Sequence, residues 1–345
     1  MQHFRMSFIT TFILLAVAAG WGYHLAGLSG ALHALLIASI LGVMEVSLSF
    51  DNAVVNASVL KTWNPFWQKI FLTLGIIVAV FGMRLLFPLL IVSVATSLSL
   101  LDVWQMALHQ PQEYARHLSE NHAEVAAFGG AFLMLVFLNF LFDEEKELHW
   151  LGIIEQKLGQ HGTEGLAILL TLLAVFACVS LIPDARKLSS LTSGVVGVAV
   201  YVAVKYISSF LEPEKHDPAV GKMMLGGSIG GFIYLEVLDA SFSFDGVIGA
   251  FAISNDVVII MLGLAIGAMF VRSLTVFLVN KGTLDEFVYL EHGAHYAIGV
   301  LALIMLASVK YHVPEWFTGF SGVAFILLSL WSSIRYRDSQ NRQSQ

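Results

Sequence analysis

The sequence predicts an all-α, polytopic membrane helix bundle of about ten spans, in which two groups of three helices repeat each other in inverted orientation. Three observations carry this expectation: the composition, the spacing of the apolar runs, and an internal repeat built around intramembrane acids. Of 345 residues, 57% are hydrophobic and only 12% are charged, whereas a soluble domain carries about 25% charged residues. A net charge of −7 argues against nucleic acid as a partner, because phosphate neutralisation needs clustered Lys and Arg. The one cysteine, Cys178, excludes an intramolecular disulfide and any multi-cysteine metal site.

Windows of about 20 apolar residues fall in order along the chain. The first, 6–27, follows a basic start (His3, Arg5) and resembles a signal peptide. A second apolar run begins almost at once, so it reads as a first membrane helix. Spans at 31–60 and 66–99 follow. The latter is too long for one straight crossing, and Pro88 is expected to end or kink it. Further spans are expected at 125–142, 164–183, 188–211, 223–253, 256–280, 292–311 and 316–335. Segments 101–124 and 143–163 read as loops, the second holding the charge run Asp143, Glu144, Glu145, Lys146 and Glu147, which is expected to be solvated. The polar tail from Ser339 is expected to be disordered.

These spans group into an N-terminal membrane helix (1–30), a first three-helix repeat (31–142), and a linking loop with two membrane helices (143–222). A second three-helix repeat (223–311) and a C-terminal membrane helix with its polar tail (312–345) complete the chain. With an even number of spans both termini share a side, and that side holds 11 of the 18 Lys and Arg residues, against four on the other. The expectation is a multi-pass protein of the bacterial inner (cytoplasmic) membrane with both termini cytoplasmic.

The repeat aligns Ser47-Leu48-Ser49-Phe50-Asp51-Asn52 with Ser241-Phe242-Ser243-Phe244-Asp245-Gly246. In that register Glu45 falls on Asp239, so each copy has an acid six residues before an Asp. The next helices continue the match: Gly75 and Arg84 are nine apart, as are Gly263 and Arg272. The third helices open with Gly130-Ala131 and Gly293-Ala294. Five spans separate the copies, an odd number, so the copies are expected to be inverted, with the site near the midplane.

Glu45, Asp51, Glu236, Asp239 and Asp245 lie well inside apolar spans. With Arg84 and Arg272 they would cost roughly 20 kcal/mol if unpaired and facing lipid, so they must face the interior. Glu45, Ser49, Asn52 and Asn56 make one helical stripe, and Glu236, Asp239, Ser243 and Gly246 make the matching one. Asp51 and Asp245 join the stripes only if the helix opens locally or if they face another helix. The donors are oxygens, which suit Mg²⁺, Ca²⁺ or Mn²⁺ better than zinc or copper. Five acids against two arginines leave three negative charges, enough for a divalent cation and a proton. The expected ligands are therefore Glu45, Asp51, Asn52, Glu236, Asp239 and Asp245, supported by Ser49, Asn56, Ser243, Arg84 and Arg272.

Blander roles are expected elsewhere. Arg84 and Arg272 read as positioning ion pairs, Ser47 and Ser241 as packing residues, and Phe50, Phe242 and Phe244 as core. Lys205 reads as a snorkelling side chain. His292 and His295 read as interfacial or hydrogen-bonded, and Asn139 as either a helix–helix hydrogen bond or a pore lining.

Glu45, Leu48, Ser49, Asp51 and Asn52 resemble the first motif of the TerC-like integral membrane proteins, related to the LysE superfamily of exporters. Glu236, Asp239, Phe242 and Asp245 resemble the second, with Gly246 where that family has Ser. Arg84 and Arg272 look like its intramembrane arginines, and the chain is most like an uncharacterised sister branch. The resemblance implies efflux of manganese, or of a similar divalent metal. The expected function is thus a proton-coupled exporter with lipid as its surroundings, no tightly bound cofactor and no enzymatic activity. The alternative is a non-transporting scaffold or assembly factor linked to metal or stress homeostasis. A two-aspartate protease dyad fits poorly, because the extra acids and arginines have no task in it.

Overall fold

The structure is a computed structural model that describes residues 4–343 apart from 145, 147, 212–226, 255, 282–286 and 312. The described residues form helices joined by turns and short loops, with no strand among them. In chain order the helices are α1 (Arg5–Leu48), α2 (Phe50–Leu60), α3 (Pro65–Ile77), a π-helical segment (Val78–Leu86), α4 (Phe87–Thr96), α5 (Leu100–His109), α6 (Pro111–Glu120) and α7 (His122–Leu141). They continue as α8 (Ile153–His161), α9 (Glu164–Ser180), α10 (Asp184–Leu211), α11 (Ile229–Ile253), α12 (Val257–Lys281), α13 (Leu290–Ser308) and α14 (Glu315–Gln343).

Among the described residues five helices are long and apolar enough to cross a membrane, or up to seven if two bent pairs each count as one span. The chain is therefore an all-α, multi-pass membrane protein. Helix α11 has the length of a span, at 25 residues, but carries the three carboxylates of the second motif.

Helix α1 is two arms rather than one rod. Ala26 and Gly27 leave helical geometry, and Gly27 has φ 64°, a conformation that costs glycine little. A Cβ on Gly22 would lie 2.3 Å from the carbonyl oxygen of Gly30. Eight residues along a straight helix are about 12 Å apart, so the chain folds back at the break and the bare glycines let the arms touch. This matches the expected separation of the first two spans.

Four expectations change. The bend in the third span lies upstream of Pro88, as a 40° angle between Pro65–Gly75 and Val78–Val94. Pro88 lacks an N–H, and its ring would crowd the carbonyl of Arg84 in an α-helix. The chain meets this with the wider π turns before it, in which the Phe87 N–H bonds the Gly82 carbonyl five residues back. Segment 101–124 is not a plain loop. It holds α5, capped by Ser99 accepting from the Asp102 N–H, and α6, which starts at Pro111 and buries Tyr114 and Leu118. Segment 143–163 contains α8, nine residues and so about 13 Å long, which meets α9 at 102° and lies across that span's axis. The tail from Ser339 is also helical, to Gln343.

The chain forms two compact units. The first is Met1–Phe50, Ile70–His122 and Phe242–Phe277; the second is Asp51–Lys69, Ala123–Ser241 and Leu278–Gln345. The chain thus passes from one unit to the other inside each acidic motif, at 50/51 and at 241/242.

In the first unit α1 packs on α12 through small and hydroxyl residues, as membrane helices do. Gly42 meets Ile266, and Gly263 meets Leu41. Ser7 Oγ donates to the Met269 carbonyl at 2.7 Å, and Trp21 Nε1 donates to Asp256 Oδ2 at 2.9 Å. In the second unit the core is α7. Its Gly129 and Gly130 meet Met305 and Leu306 of α13, while Phe137 covers Gly299 of α13.

Candidate functional site

Each unit has its own polar cluster within apolar helices. In the first, Glu45 sits near the end of α1, 1% exposed. Helix geometry lapses four residues on, at Ser49 (φ −104°, ψ 18°), where α1 ends and α2 begins. Ser49 Oγ donates to Glu45 Oε1 at 3.1 Å. The guanidinium of Arg84, carried on the π-helical segment, forms a buried ion pair with the same Glu45 oxygen. Arg84 Nη1 also donates to the Ala79 carbonyl at 2.7 Å. π-Helical turns recur at functional positions, and here the turn presents the arginine that neutralises the acid.

Two glycines shape the space around Glu45. A Cβ on Gly246 would lie 2.9 Å from Glu45 Oε2. A Cβ on Gly267 would lie 2.4 Å from Glu45 Cβ and 2.5 Å from its Cγ. Ser243 is buried in the same unit. Arg272 is placed differently from Arg84: its guanidinium lies over the Phe71 ring, 4.7 Å from the centroid.

In the second unit Asn52 Nδ2 donates to Asp239 Oδ1 at 2.6 Å, and both side chains are buried. Glu236, one turn before Asp239, and Asn56, one turn after Asn52, are buried as well. The Asn56 Oδ1 has no hydrogen-bond partner among the described residues.

These two clusters mirror each other. The repeat register pairs Glu45 with Asp239 and Asn52 with Gly246. The Asn52–Asp239 hydrogen bond and the Gly246–Glu45 approach are therefore the same contact, made once in each unit. In one, a short acid meets an amide. In the other, a longer acid meets bare backbone. Gly246 is thus not a lost ligand but the space that Glu45 occupies. The side chains of Asp51 and Asp245 lie outside the described residues. Among the described residues no three His, Cys, Asp or Glu side chains gather closely enough to hold a metal ion.

Other expected roles sort out as follows. Ser241 is buried and donates to the Val237 carbonyl, whereas Ser47 is exposed and donates to Val43, so only the former packs inside. Phe50 and Phe242 are half-buried, and the Phe244 side chain lies outside the described residues. Asn139 donates to the Leu135 carbonyl of its own helix. Lys205 is ion-paired with Glu164 at 2.6 Å, so its head is held as well as its stem. His292 and His295 are hydrogen-bonded, to the carbonyls of Leu148 and Glu291.

Sequence reasoning missed a second buried ion pair. Lys146, expected to be solvated, is buried and bonds Glu155 Oε1 at 2.7 Å, with His292 Nε2 3.5 Å from that oxygen. Nine residues separate Lys146 from Glu155, and no short-range pattern links them. Burial alone would raise the Glu155 carboxyl. The hydrogen bonds from Lys146 and the Leu151 N–H, with the nearby charges of Lys146 and His292, outweigh it and hold the carboxyl below its usual range. Gly267 was also missed, although Gly263 and Gly267 carry the small-xxx-small spacing of packed membrane helices.

Comparison with known proteins places this architecture in a family. The chain is 32% identical over 126 residues to the "Uncharacterized membrane protein YceF" of Bacillus subtilis (strain 168). That match covers 34% of this chain and 48% of the relative, so the chain spans about half the length of the curated relative it matches. No solved structure matches the chain. The family model described as "Protein of unknown function (DUF475)" matches residues 50–342, from the start of α2 to the end of α14, and the chain belongs to that family.

Proposed function

We propose that this chain is a membrane transporter that exports a divalent metal cation, with manganese favoured over calcium and magnesium as cargo. One observation carries the reading: Asp239 and Glu236 sit buried one turn apart, with Asn52 donating to Asp239, in helices otherwise suited to lipid. Intramembrane carboxylates are costly, and they mark ion pathways by default. The donor set is all oxygen, the chemistry of hard divalent ions. Asn52 brings a neutral amide to the Asp239 carboxylate, donating to Oδ1. The resemblance of both motifs to the TerC-like proteins supports the same reading, as do the inverted register of the repeat and the basic bias of the predicted cytoplasmic side. Export from the cytoplasm across the bacterial inner membrane, in exchange for protons, completes the proposal, with no enzymatic step.

The test is Mn²⁺ flux into proteoliposomes with and without a pH gradient, alongside the metal content of the purified protein. Wild type is expected to move Mn²⁺, and Asp239→Asn and Glu236→Gln to lower apparent affinity by about tenfold or more. Flux that is indifferent to both substitutions sinks the site assignment. Absence of flux and of bound Mn²⁺, Ca²⁺ and Mg²⁺ sinks the transport reading.

A further inference from the structure

We propose that α8 is an interfacial helix lying in the surface of the bilayer, with Ile154 and Leu158 seated in lipid and Gln156 and Gln160 in water. How the second unit sits in its membrane is independent of what the chain carries.

The position of α8 follows from its neighbours in that unit. Helix α10 is long and apolar enough to cross a membrane. Helix α9 packs along it, and only residues 181–183 join the two. At the far end Glu164, the first residue of α9, is ion-paired with Lys205 of α10 at 2.6 Å. The two helices therefore run antiparallel through the same depth. The 17 residues of α9 reach about 26 Å, close to the thickness of the hydrocarbon core, about 30 Å. Its Leu169, Leu173 and Phe176 are each more than half exposed, as lipid-facing side chains are. Charged side chains at span ends reach for the headgroups, so Glu164 and Lys205 mark the membrane surface. Helix α8 ends at His161, just short of that mark, and meets α9 at 102°. A helix set across a span at headgroup level lies in the membrane plane.

The side chains of α8 suit that place. Residues four apart share a line along a helix, so α8 has four lines about 100° apart. Glu155 and Gly159 form the buried line. Glu155 accepts from Lys146 Nζ at 2.7 Å and from the Leu151 N–H at 3.2 Å, with His292 Nε2 of α13 3.5 Å away. These contacts fix the roll of α8 about its own axis. One flank of the buried line carries Ile154 and Leu158, and the opposite flank carries Gln156 and Gln160, all exposed. The fourth line, Ile153, Lys157 and His161, points away from the buried one and mixes apolar with basic groups, as the headgroup layer favours. One flank thus suits hydrocarbon and the other suits water. In water the 64% exposure of Ile154 would be a cost, and in the bilayer core the two glutamine amides would lose their hydration. Only the interface satisfies both flanks at once. Apolar contact rather than charge drives the seating, because the neighbouring run of Asp143, Glu144, Glu145, Lys146 and Glu147 is net acidic and repels anionic headgroups.

Spin labelling of the full chain tests this. In a Cys178→Ala background, Ile154→Cys, Leu158→Cys, Gln156→Cys and Gln160→Cys each carry one nitroxide, in liposomes of zwitterionic phosphatidylcholine. Molecular oxygen, which concentrates in lipid, and a water-soluble nickel chelate serve as the relaxing agents. The Ile154→Cys and Leu158→Cys labels should lie about 5–10 Å into the headgroup–acyl boundary, with high oxygen and low nickel accessibility. The Gln156→Cys and Gln160→Cys labels should show the reverse. The proposal is overturned if all four labels meet nickel alike, as on a solvated loop, or if all four sit in lipid, as on a re-entrant helix. It is equally overturned if the Ile154→Cys and Leu158→Cys labels are shut off from both agents, as beneath a protein partner. Should Leu158→Cys fail to fold, Ile154→Cys against Gln156→Cys still decides the matter. Mn²⁺ flux plays no part in the readout, so failure here leaves the transport reading untouched, and the reverse holds as well.

Discussion

The two units solve the same problem, a carboxylate inside a membrane helix, in different ways. In the first, Glu45 is neutralised by a permanent charge from its own repeat, Arg84. In the second, an amide from the other repeat, Asn52, donates to Asp239. A buried ion pair is no more stabilising than good apolar packing, yet breaking it on one side is costly. An amide–carboxylate hydrogen bond is easier to make and to break.

Removing the partner in each unit is the sharpest way to break this comparison. Arg84→Met leaves Glu45 buried without its cation and should cost about 3–5 kcal/mol. Asn52→Leu takes a hydrogen-bond donor from Asp239 and should cost about 1–3 kcal/mol. Chemical or thermal unfolding in detergent would rank them. An Asn52→Leu loss equal to or larger than that of Arg84→Met would mean that the hydrogen bond in the second cluster matters as much to the fold as the ion pair in the first.

The ranking also explains what could be read from the sequence. The helix bundle was legible because a membrane requires apolar runs of fixed length, and the repeat because the motifs are short and local. That Glu45 and Asp239 are buried followed from the cost of lipid-facing charge. Which partner each acid takes was not legible. Arg84 is 39 residues from Glu45 and Asn52 is 187 from Asp239, separations that no local pattern spans. The meaning of Gly246 was hidden for the same reason. Absence of a side chain reads as a missing ligand until the neighbouring carboxylate is seen to fill its place. Surface helices α5 and α6 were legible in part, since Ser99, Asp102 and Pro111 are start signals.

The Lys146–Glu155 pair extends the comparison outside the spans, because it is an ion pair that titrates. Lys146→Met should cost about 3 kcal/mol at neutral pH, less than the loss at Arg84, since it lies at the edge of the bundle rather than inside a span. The sign of its pH dependence follows from the lowered Glu155 carboxyl. A depressed folded-state value contributes stability that is fully present above the unfolded value, about 4.3 for glutamate, and is lost as pH falls through the lower folded value. Wild-type Tm should therefore drop on acidification through that window. In Lys146→Met the drop should shrink, because without the lysine burial pushes the carboxyl upward. An unchanged acid limb in the variant would show that other carboxylates set it and that this pair is incidental.

The smallest expected effects test the space around Glu45 rather than its charge. Alanine normally gains up to about 1 kcal/mol over glycine inside a helix, so each substitution sets that gain against a clash. At Gly20 nothing lies within 4 Å of an added Cβ, and Gly20→Ala should be neutral or slightly stabilising. At Gly246 the obstacle is Glu45 Oε2 at 2.9 Å, the far end of a side chain that Arg84 restrains. There the gain and the clash should nearly cancel. At Gly267 the obstacles are the stem of Glu45 at 2.4 and 2.5 Å and the carbonyl oxygen of Gly42 at 2.9 Å, and neither can move without shifting a helix. Gly267→Ala should therefore lose about 1–3 kcal/mol, the usual cost of overpacking. If Glu45 is as tightly seated as its contacts indicate, the order of stability is Gly20→Ala, then Gly246→Ala, then Gly267→Ala. A Gly267→Ala protein as stable as wild type would mean that Glu45 has room to move, and with it freedom to leave Arg84 for a cation.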